Sequence, residues 1–200
     1  MPPTAPPNFP STVTYLSTPV PSRLLPPPLR LVYCSPSPPS SLPNPPPRLQ
    51  IRKIQDPTHP ANGQSGLFNA TGKKIERGTF LRDYLGLVHL EREADQSSDY
   101  DLSLERIRIG DDQDGKGEKE EWETIGIDAT KMGAEARFVN DYRGTGLPRP
   151  NAVFELRTWE LPNGKGTAKR MAIFAGPHGI EKGSEICVSY GKGFWDNRKG

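Results

Sequence analysis

The segment 136–144 combines side chains that should be buried with side chains that need polar partners. Phe138 and Val139 favour the protein interior, whereas Arg137 and Asn140 carry hydrogen-bonding groups that must be satisfied wherever they lie. An Arg-Phe-aliphatic-Asn run of this kind suits a place where backbone, side chains and a polar ligand meet. We therefore take this segment as the candidate centre of a functional site, which the rest of the chain must position.

The sequence predicts that short β strands position this segment. Alternating or β-branched patterns predict strands at 49–54, 65–68, 78–88, 99–104 with a continuation to 109, 125–129, 153–161, 169–175 and 185–190. Asn163-Gly164 is a favoured hairpin dipeptide, and one or two helical turns fit 132–140. Many short strands with almost no helix predict one small, mostly β domain over residues 49–197, large enough for a single core.

The first 50 residues differ in composition from the rest of the chain. They hold 17 of the 23 prolines and three arginines, with no Asp, Glu or Lys. Such a stretch predicts a disordered or polyproline II tail over residues 1–48. Pro36-Ser37-Pro38-Pro39 fits a PxxP pattern. The tail is therefore either a ligand for a proline-binding partner or a linker, and the linker is the preferred interpretation.

Charge and cysteine content exclude several classes of protein. Without the three arginines of the tail, 23 basic residues stand against 24 acidic ones, so no direct binding of nucleic acid is expected. Cys34 and Cys187 are too few for a zinc cluster or a disulfide framework, and the three histidines are scattered, so no metal site is expected. No apolar stretch approaches the roughly 18 residues of a membrane span, and no secretory signal is visible, which favours an intracellular protein.

Two motif matches in the charged loop 110–124 are coincidences. The run from Gly110 to Lys116 resembles a phosphate-binding loop, but Gly117 stands where that loop needs Ser or Thr. Acidic residues from Asp112 to Glu121 have the spacing of a calcium loop, but Gly110 occupies its first ligand position.

Five blocks of the sequence carry a more specific signal. They are 64–68 (like G-x-G-x-F), 75–86 (like I-x-x-G-x-F-I-x-E-Y-x-G), 91–95 with Tyr100, 127–140 (like D-A-x-x-x-G-N-x-x-R-F-I-N-H) and 180–191 (like I-x-x-G-E-E-L-x-x-D-Y-G), extended by Phe194-Trp195. Each block is weak alone, but their shared order and plausible spacing are specific. Together they cover residues 50–195 and resemble the SET-domain protein-lysine methyltransferases, most closely the histone H3-lysine branch.

The resemblance implies a SET fold, with small β-clip-like sheets, short helical turns and a C-terminal pseudoknot that joins 136–144 to the closing strand. It also implies methyl transfer from S-adenosylmethionine to a lysine side chain of a protein or peptide. A histone tail is the expected substrate, and the nucleus is the expected location. A narrow aromatic channel would favour the neutral, nucleophilic amine by desolvation, and alignment with the methyl donor would supply much of the rate.

Individual roles follow from the same resemblance. Tyr190 matches the catalytic tyrosine, and Tyr84 matches a tyrosine of the lysine channel. The positions that match the cofactor site are Ser65, Gly66, Tyr100, Arg137, Asn140 and Asp141, with Arg137 either serving that site or bracing the pseudoknot.

The sequence departs from the family pattern at several places. Gln64 replaces the first glycine of the opening block, Asp141 replaces a histidine, and Val188 stands where Phe or Tyr is usual. Within these 200 residues, no cysteine-rich segment flanks the blocks. The alternative function is therefore a degenerate SET domain that binds partners without catalysis.

Overall fold

The computed structural model describes residues 4–38, 45–109 and 121–191. Four features named above lie outside these ranges in whole or in part. They are the last proline of the PxxP pattern, the calcium-like and phosphate-like motifs at 110–121, and Phe194-Trp195. Among the described residues, no helix is both long and apolar enough to cross a membrane.

Short strands dominate the described parts of the chain, as the sequence predicts. The strands are β1 (Thr14–Tyr15), β2 (Val20–Pro21), β3 (Leu49–Lys53), β4 (Ser65–Asn69), β5 (Phe80–Asp83), β6 (Leu87–Leu90), β7 (Asp101–Ile109), β8 (Glu121–Asp128), β9 (Met132–Gly133), β10 (Asn140–Asp141), β11 (Ala152–Glu160), β12 (Thr167–Ala175) and β13 (Cys187–Val188). The α helix is α1 (Pro27–Cys34), and the 3-10 turns are Glu91–Glu93, Glu135–Phe138 and Pro162–Gly164.

These strands form several small sheets around one core. The larger sheets have the strand orders β2-β6-β8-β7 and β11-β12-β5, while β3-β4, β1-β9 and β10-β13 are two-stranded. Leu67, Ile125, Ile173 and Ile186 come from different parts of the chain and are all fully buried in the same aliphatic cluster. Burial of this shared core holds the small sheets together, and the two-stranded sheets depend on it most, because an isolated strand pair is at best marginally stable in water.

The predicted strand at 78–88 is two strands in two different sheets. β5 pairs with β12, whereas β6 pairs with β8. Gly86 lies at the break, and a Cβ atom there would clash with the backbone carbonyl of Asp128. The glycine permits a close approach of two backbones that periodicity alone does not reveal.

The prediction of disorder is wrong for residues 4–38, which we call the N-terminal segment. Its strand β1 pairs in parallel with β9, and β2 pairs in parallel with β6. Helix α1 packs on β12, and Leu25 and Tyr33 are almost completely buried. The prolines do not prevent this order, because Pro27 and Pro28 lie in the first turn of α1, where a missing backbone N–H costs nothing.

Candidate functional site

The segment 136–144 pairs with the closing strand β13, as the family resemblance implies, and we call this paired region the crossing. β10 runs parallel to β13, with Asn140 opposite Cys187 and Asp141 opposite Val188. The 3-10 turn Glu135–Phe138 leads into this crossing. The crossing places the backbone carbonyl of Val139 beside the residues that follow β13.

Tyr190 is fixed to this crossing at both of its ends. Its hydroxyl donates a hydrogen bond to the carbonyl oxygen of Val139 at 2.7 Å, and its backbone N–H donates to Oδ2 of Asp141 at 2.8 Å. Burial, followed by the negative charge of Asp141, raises the pKa of the Tyr190 phenol above its ordinary value. The hydroxyl is therefore a neutral hydrogen-bond donor near pH 7.

Tyr84 has a similar arrangement on the neighbouring wall. Its hydroxyl donates to the carbonyl oxygen of Tyr100 at 2.7 Å, and its ring meets the Phe154 ring edge-on at 5.7 Å. Burial raises the pKa of the Tyr84 phenol well above its ordinary value, and the neighbouring Tyr190 adds to the shift. Both predicted catalytic tyrosines thus keep their protons and have them committed to backbone carbonyls.

A cavity of about 750 Å³ brings together Tyr84, Tyr100, Arg137, Val139 and Tyr190. Much of its wall is the loop 94–100 and the beginning of β7. The Arg137 guanidinium lies 4.1 Å from the centre of the Tyr100 ring, and its Nε donates to the carbonyl oxygen of Ala129 at 2.9 Å. Arg137 therefore lines the cavity and braces its wall at the same time.

The cavity wall carries more acidic than basic side chains. Its acidic residues are Glu91, Asp95, Asp99 and Asp101. His89 can offset part of this charge, because its Nδ1 faces the Leu90 carbonyl and its Nε2 faces Asp101, and a doubly protonated ring satisfies both contacts. Burial opposes this charge, but the hydrogen bonds to Asp101 and Leu90 raise the pKa of His89 above its ordinary value. The wall keeps an excess of negative charge, which favours a cationic ligand.

The remaining predicted residues meet on the other side of the crossing, around Glu185. Nδ2 of Asn140 donates to Oε1 of Glu185 at 2.7 Å and approaches the carbonyl oxygen of Ser65 at 3.4 Å. A Cβ atom on Gly66 would lie 2.6 Å from that same Oε1. The structure thus brings Ser65, Gly66 and Asn140 together, but around a carboxylate that the sequence analysis did not single out. Because Asn140 directly follows Val139, this cluster adjoins the cavity.

A family model described as the SET domain matches residues 66–191, which is more than half of the chain. This chain belongs to the SET domain family. The solved structures that resemble this SET domain include the "crystal structure of KRYPTONITE in complex with mCHH DNA, H3(1-15) peptide and SAH". The sequences are 17% identical, the match covers 73% of this chain and 24% of the KRYPTONITE chain, and the TM-score is 0.47. No curated protein matches the chain.

Asp141 stands where the family has a histidine. Its carboxylate accepts hydrogen bonds from residues within and next to the crossing. Oδ1 accepts from the backbone N–H of Arg143 at 2.9 Å, and Oδ2 accepts from Nη1 of Arg143 at 2.9 Å as well as from the Tyr190 backbone. The carboxylate is buried and is not among the groups that line the cavity. The acid therefore holds the backbone of Tyr190.

Gln64 is another departure from the family pattern, and its backbone does not require a glycine. Its backbone N–H donates to the Ala61 carbonyl, and its own carbonyl accepts from Ile54. Among the described residues, Asn8 is the only residue other than glycine with a positive φ angle, so Gln64 has an ordinary backbone conformation. The glycine of the family pattern is therefore dispensable here for the backbone.

The residues of the cavity fit S-adenosylmethionine, the methyl donor of SET methyltransferases. A volume of about 750 Å³ lies within the range of about 300–1,000 Å³ that is usual for small-molecule sites. The sulfonium and the α-ammonium of this cofactor are cationic, and they suit a wall of tyrosine rings and carboxylates. Tyr84, Tyr100, Arg137 and Tyr190 are the residues that would hold the cofactor beside Val139.

We expect Gly66→Ala to weaken the cluster around Glu185. The new Cβ would lie 2.6 Å from Oε1 and 3.1 Å from Cδ of Glu185, so the carboxylate would have to leave Asn140. The loss of a charge-assisted hydrogen bond of this kind costs about 1.5–3 kcal/mol. We therefore expect chemical denaturation to show a fall of about 2 kcal/mol in the free energy of unfolding.

A double-mutant cycle tests whether the effect passes through Glu185. In a Glu185→Ala background there is no carboxylate to displace, so Gly66→Ala should cost less than half as much as in the native protein. Equal costs in the two backgrounds would show that the added methyl group acts elsewhere, for example against the Phe68 ring, which would lie 3.0 Å from the new Cβ.

Proposed function

We propose that this SET domain transfers a methyl group from S-adenosylmethionine to a lysine side chain of a protein. The observation that carries the proposal is the pair of tyrosines at one cavity, each with its hydroxyl proton committed to a backbone carbonyl. The acidic wall and the aromatic rings of the same cavity support it, because both the methyl donor and a lysine side chain are cationic when they arrive.

The orientation of the hydroxyl groups suggests what each tyrosine does. Because Tyr190 gives its only hydroxyl proton to Val139, its oxygen can act only as an acceptor toward a bound ligand. Two oxygen atoms 2.7 Å apart, the Tyr190 hydroxyl and the Val139 carbonyl, can accept weak C–H···O contacts from a polarised methyl group. Tyr84 offers its oxygen in the same way and can accept a hydrogen bond from the lysine amine.

The reaction requires a neutral lysine amine that is aligned with the methyl group, and it does not require a strong base. S-adenosylmethionine supplies an electrophilic methyl group, and a lysine nitrogen forms its new bond to carbon as the sulfur–carbon bond breaks. Neither tyrosine serves as the base near pH 7, because the pKa values of both phenols are raised. Their part is to hold the nitrogen and the methyl group in line, while burial of the amine between their rings favours its neutral form.

A basic peptide segment such as a histone tail is the proposed substrate. The acidic residues of the cavity wall would attract the positive charges that flank a lysine in such a segment. A histone substrate would in turn place the protein in the nucleus.

The alternative is a SET domain that binds partners without catalysis. One observation favours it: the chain's own Glu185 carboxylate engages Asn140 and fills the space above Gly66, two of the positions that match the family's cofactor site.

Calorimetric titration of S-adenosylmethionine, followed by a labelled-methyl assay on histone H3 peptides, tests the proposal. We expect micromolar binding, and transfer that is lost when the target lysine of the peptide is replaced by arginine. The absence of heat at millimolar cofactor would overturn the enzyme proposal. Cofactor binding without transfer to histone peptides or to whole histones would support the non-catalytic alternative.

A further inference from the structure

His59 lies in the turn between β3 and β4, outside the region 66–191 that matches the family. With His89 and His178 it makes up the three scattered histidines of the sequence, whose spacing predicts no metal site. In the structure its side chain is 9% exposed, and its Nε2 lies 3.0 Å from Oε2 of Glu185. A buried polar contact of this length calls for a defined donor and acceptor.

The proton on the His59 ring can be assigned from its second contact. The backbone N–H of Ala61 donates to Nδ1 of His59 at 3.0 Å. A backbone N–H can only donate, so Nδ1 must accept and the ring proton must lie on Nε2. Nε2 therefore donates to Glu185.

Glu185 passes this constraint on to Asn140. While Oε2 accepts from His59, Oε1 accepts from Nδ2 of Asn140 at 2.7 Å. An amide side chain can rotate by half a turn and exchange its nitrogen and oxygen atoms with little change of shape. A carboxylate held beside Nδ2 excludes the rotated state, because oxygen would then face oxygen, and this fixes where Oδ1 of Asn140 points.

The loop that carries His59 also contacts the crossing segment directly. A Cβ atom on Gly144 would lie 2.6 Å from Cγ of Pro60, the residue after His59. Gly144 has a φ angle of +77°, so its backbone is already of the kind that glycine adopts without strain. The turn thus packs closely against the crossing at Gly144, in a contact separate from the His59 hydrogen bond.

We propose that His59 is a positioning residue that orients the Asn140 side chain through Glu185. The inference rests on the proposed function in one respect, namely that Asn140 contacts the cofactor. Its proposed effect is to present the Asn140 oxygen, a hydrogen-bond acceptor, to the cationic end of S-adenosylmethionine.

Two substitutions at His59 separate positioning from a purely structural role. In His59→Asn the amide oxygen can replace Nδ1 and accept from Ala61, but the side chain is too short to reach Glu185. In His59→Gln the amide nitrogen can replace Nε2 and donate to Glu185. The proposal predicts that His59→Asn raises the Kd and KM for S-adenosylmethionine about tenfold with little change in kcat, whereas His59→Gln stays within about threefold.

His178→Asn and His178→Gln are the matched controls, because His178 is exposed and contacts Arg149 away from the cluster. Neither should change cofactor affinity. The reverse order at position 59, with His59→Asn intact and His59→Gln impaired, would show that the turn needs only the contact to Ala61 and would overturn the proposal.

A readout that needs no cofactor keeps the two proposals distinguishable. The side-chain amide NMR signals of Asn140, assigned by their loss in Asn140→Ala, should shift in His59→Asn and stay in place in His59→Gln. Unchanged signals in both variants would overturn the positioning role. If the signals shift in His59→Asn as expected but the native protein binds no S-adenosylmethionine, the proposed function alone is overturned.

Discussion

Tyr190→Phe is expected to lower kcat for methyl transfer by at least about a hundredfold, which corresponds to about 2.7 kcal/mol of barrier. The substitution removes the oxygen that, with the Val139 carbonyl, forms the acceptor pair at the cavity. The ring remains, so its packing and its share of the cavity wall are retained. The expected change therefore lies in alignment of the reacting groups rather than in the affinity for S-adenosylmethionine.

The fold should survive this substitution. The Val139 carbonyl loses its partner, which costs about 1–3 kcal/mol when no other donor replaces it. Because Val139 lines the cavity, water can supply that donor. Single-turnover assays measure the rate, calorimetry measures cofactor affinity, and thermal unfolding measures stability, all on the same preparation.

Tyr15→Phe is the matched control. The Tyr15 hydroxyl donates to Oε2 of Glu135 at 3.0 Å and belongs to the N-terminal segment rather than to the cavity wall. Its loss should leave kcat unchanged. Activity that persists in Tyr190→Phe would remove this hydroxyl from the mechanism, and equal losses in both variants would indicate a general defect.

Local patterns in the sequence explain which parts of the fold could be predicted. The alternation over 153–161 and 169–175 is a property of neighbouring residues, and it predicts the β11–β12 pair closely. Asn163-Gly164 indicates the connection but not its form, because the strands end at Glu160 and resume at Thr167 around a 3-10 turn. Turn geometry depends on how the strands are held by the rest of the sheet.

The candidate site likewise has residues that the sequence predicts and contacts that it does not. Tyr84, Tyr100, Arg137 and Tyr190 lie in recognisable blocks, and the structure places them at one cavity. The His59–Glu185 contact joins residues 126 positions apart, one of them outside every block, so no local pattern could indicate it. Such a contact appears only when the β3–β4 turn and the closing strand are placed in space.

The N-terminal segment shows the limit of composition as a guide. Proline content predicts disorder, but it does not count the apolar residues that lie between the prolines. Deleting residues 1–38 is accordingly expected to abolish cooperative folding at 25 °C. The deletion would remove the partners of β6 and β9 and expose the face of β12 that α1 covers. It would also remove one hydrogen-bond partner of Arg170, which is 2% exposed and donates to the Ser35 carbonyl at 2.6 Å, and leave the ion pair with Asp83.

The size of this effect follows from burial. Leu25 and Tyr33 are 0% and 2% exposed, and burying a large apolar side chain contributes about 1.5–3 kcal/mol. Two such side chains account for a large part of the roughly 5–15 kcal/mol by which a domain of this size is stable. Circular dichroism during denaturation measures the outcome, and a cooperative transition at an unchanged midpoint would show that the N-terminal segment is dispensable.

Two neighbouring leucines give the same test without a truncation. Leu25 is fully buried, whereas Leu24 is 57% exposed. Leu25→Ala should lower the free energy of unfolding by about 2–5 kcal/mol, and Leu24→Ala should change it by less than about 0.5 kcal/mol. If the segment were disordered, both substitutions would leave the free energy of unfolding unchanged. A large difference between these adjacent residues of the same type requires that Leu25 is buried and Leu24 is exposed, and therefore that this part of the N-terminal segment is packed as the structure shows.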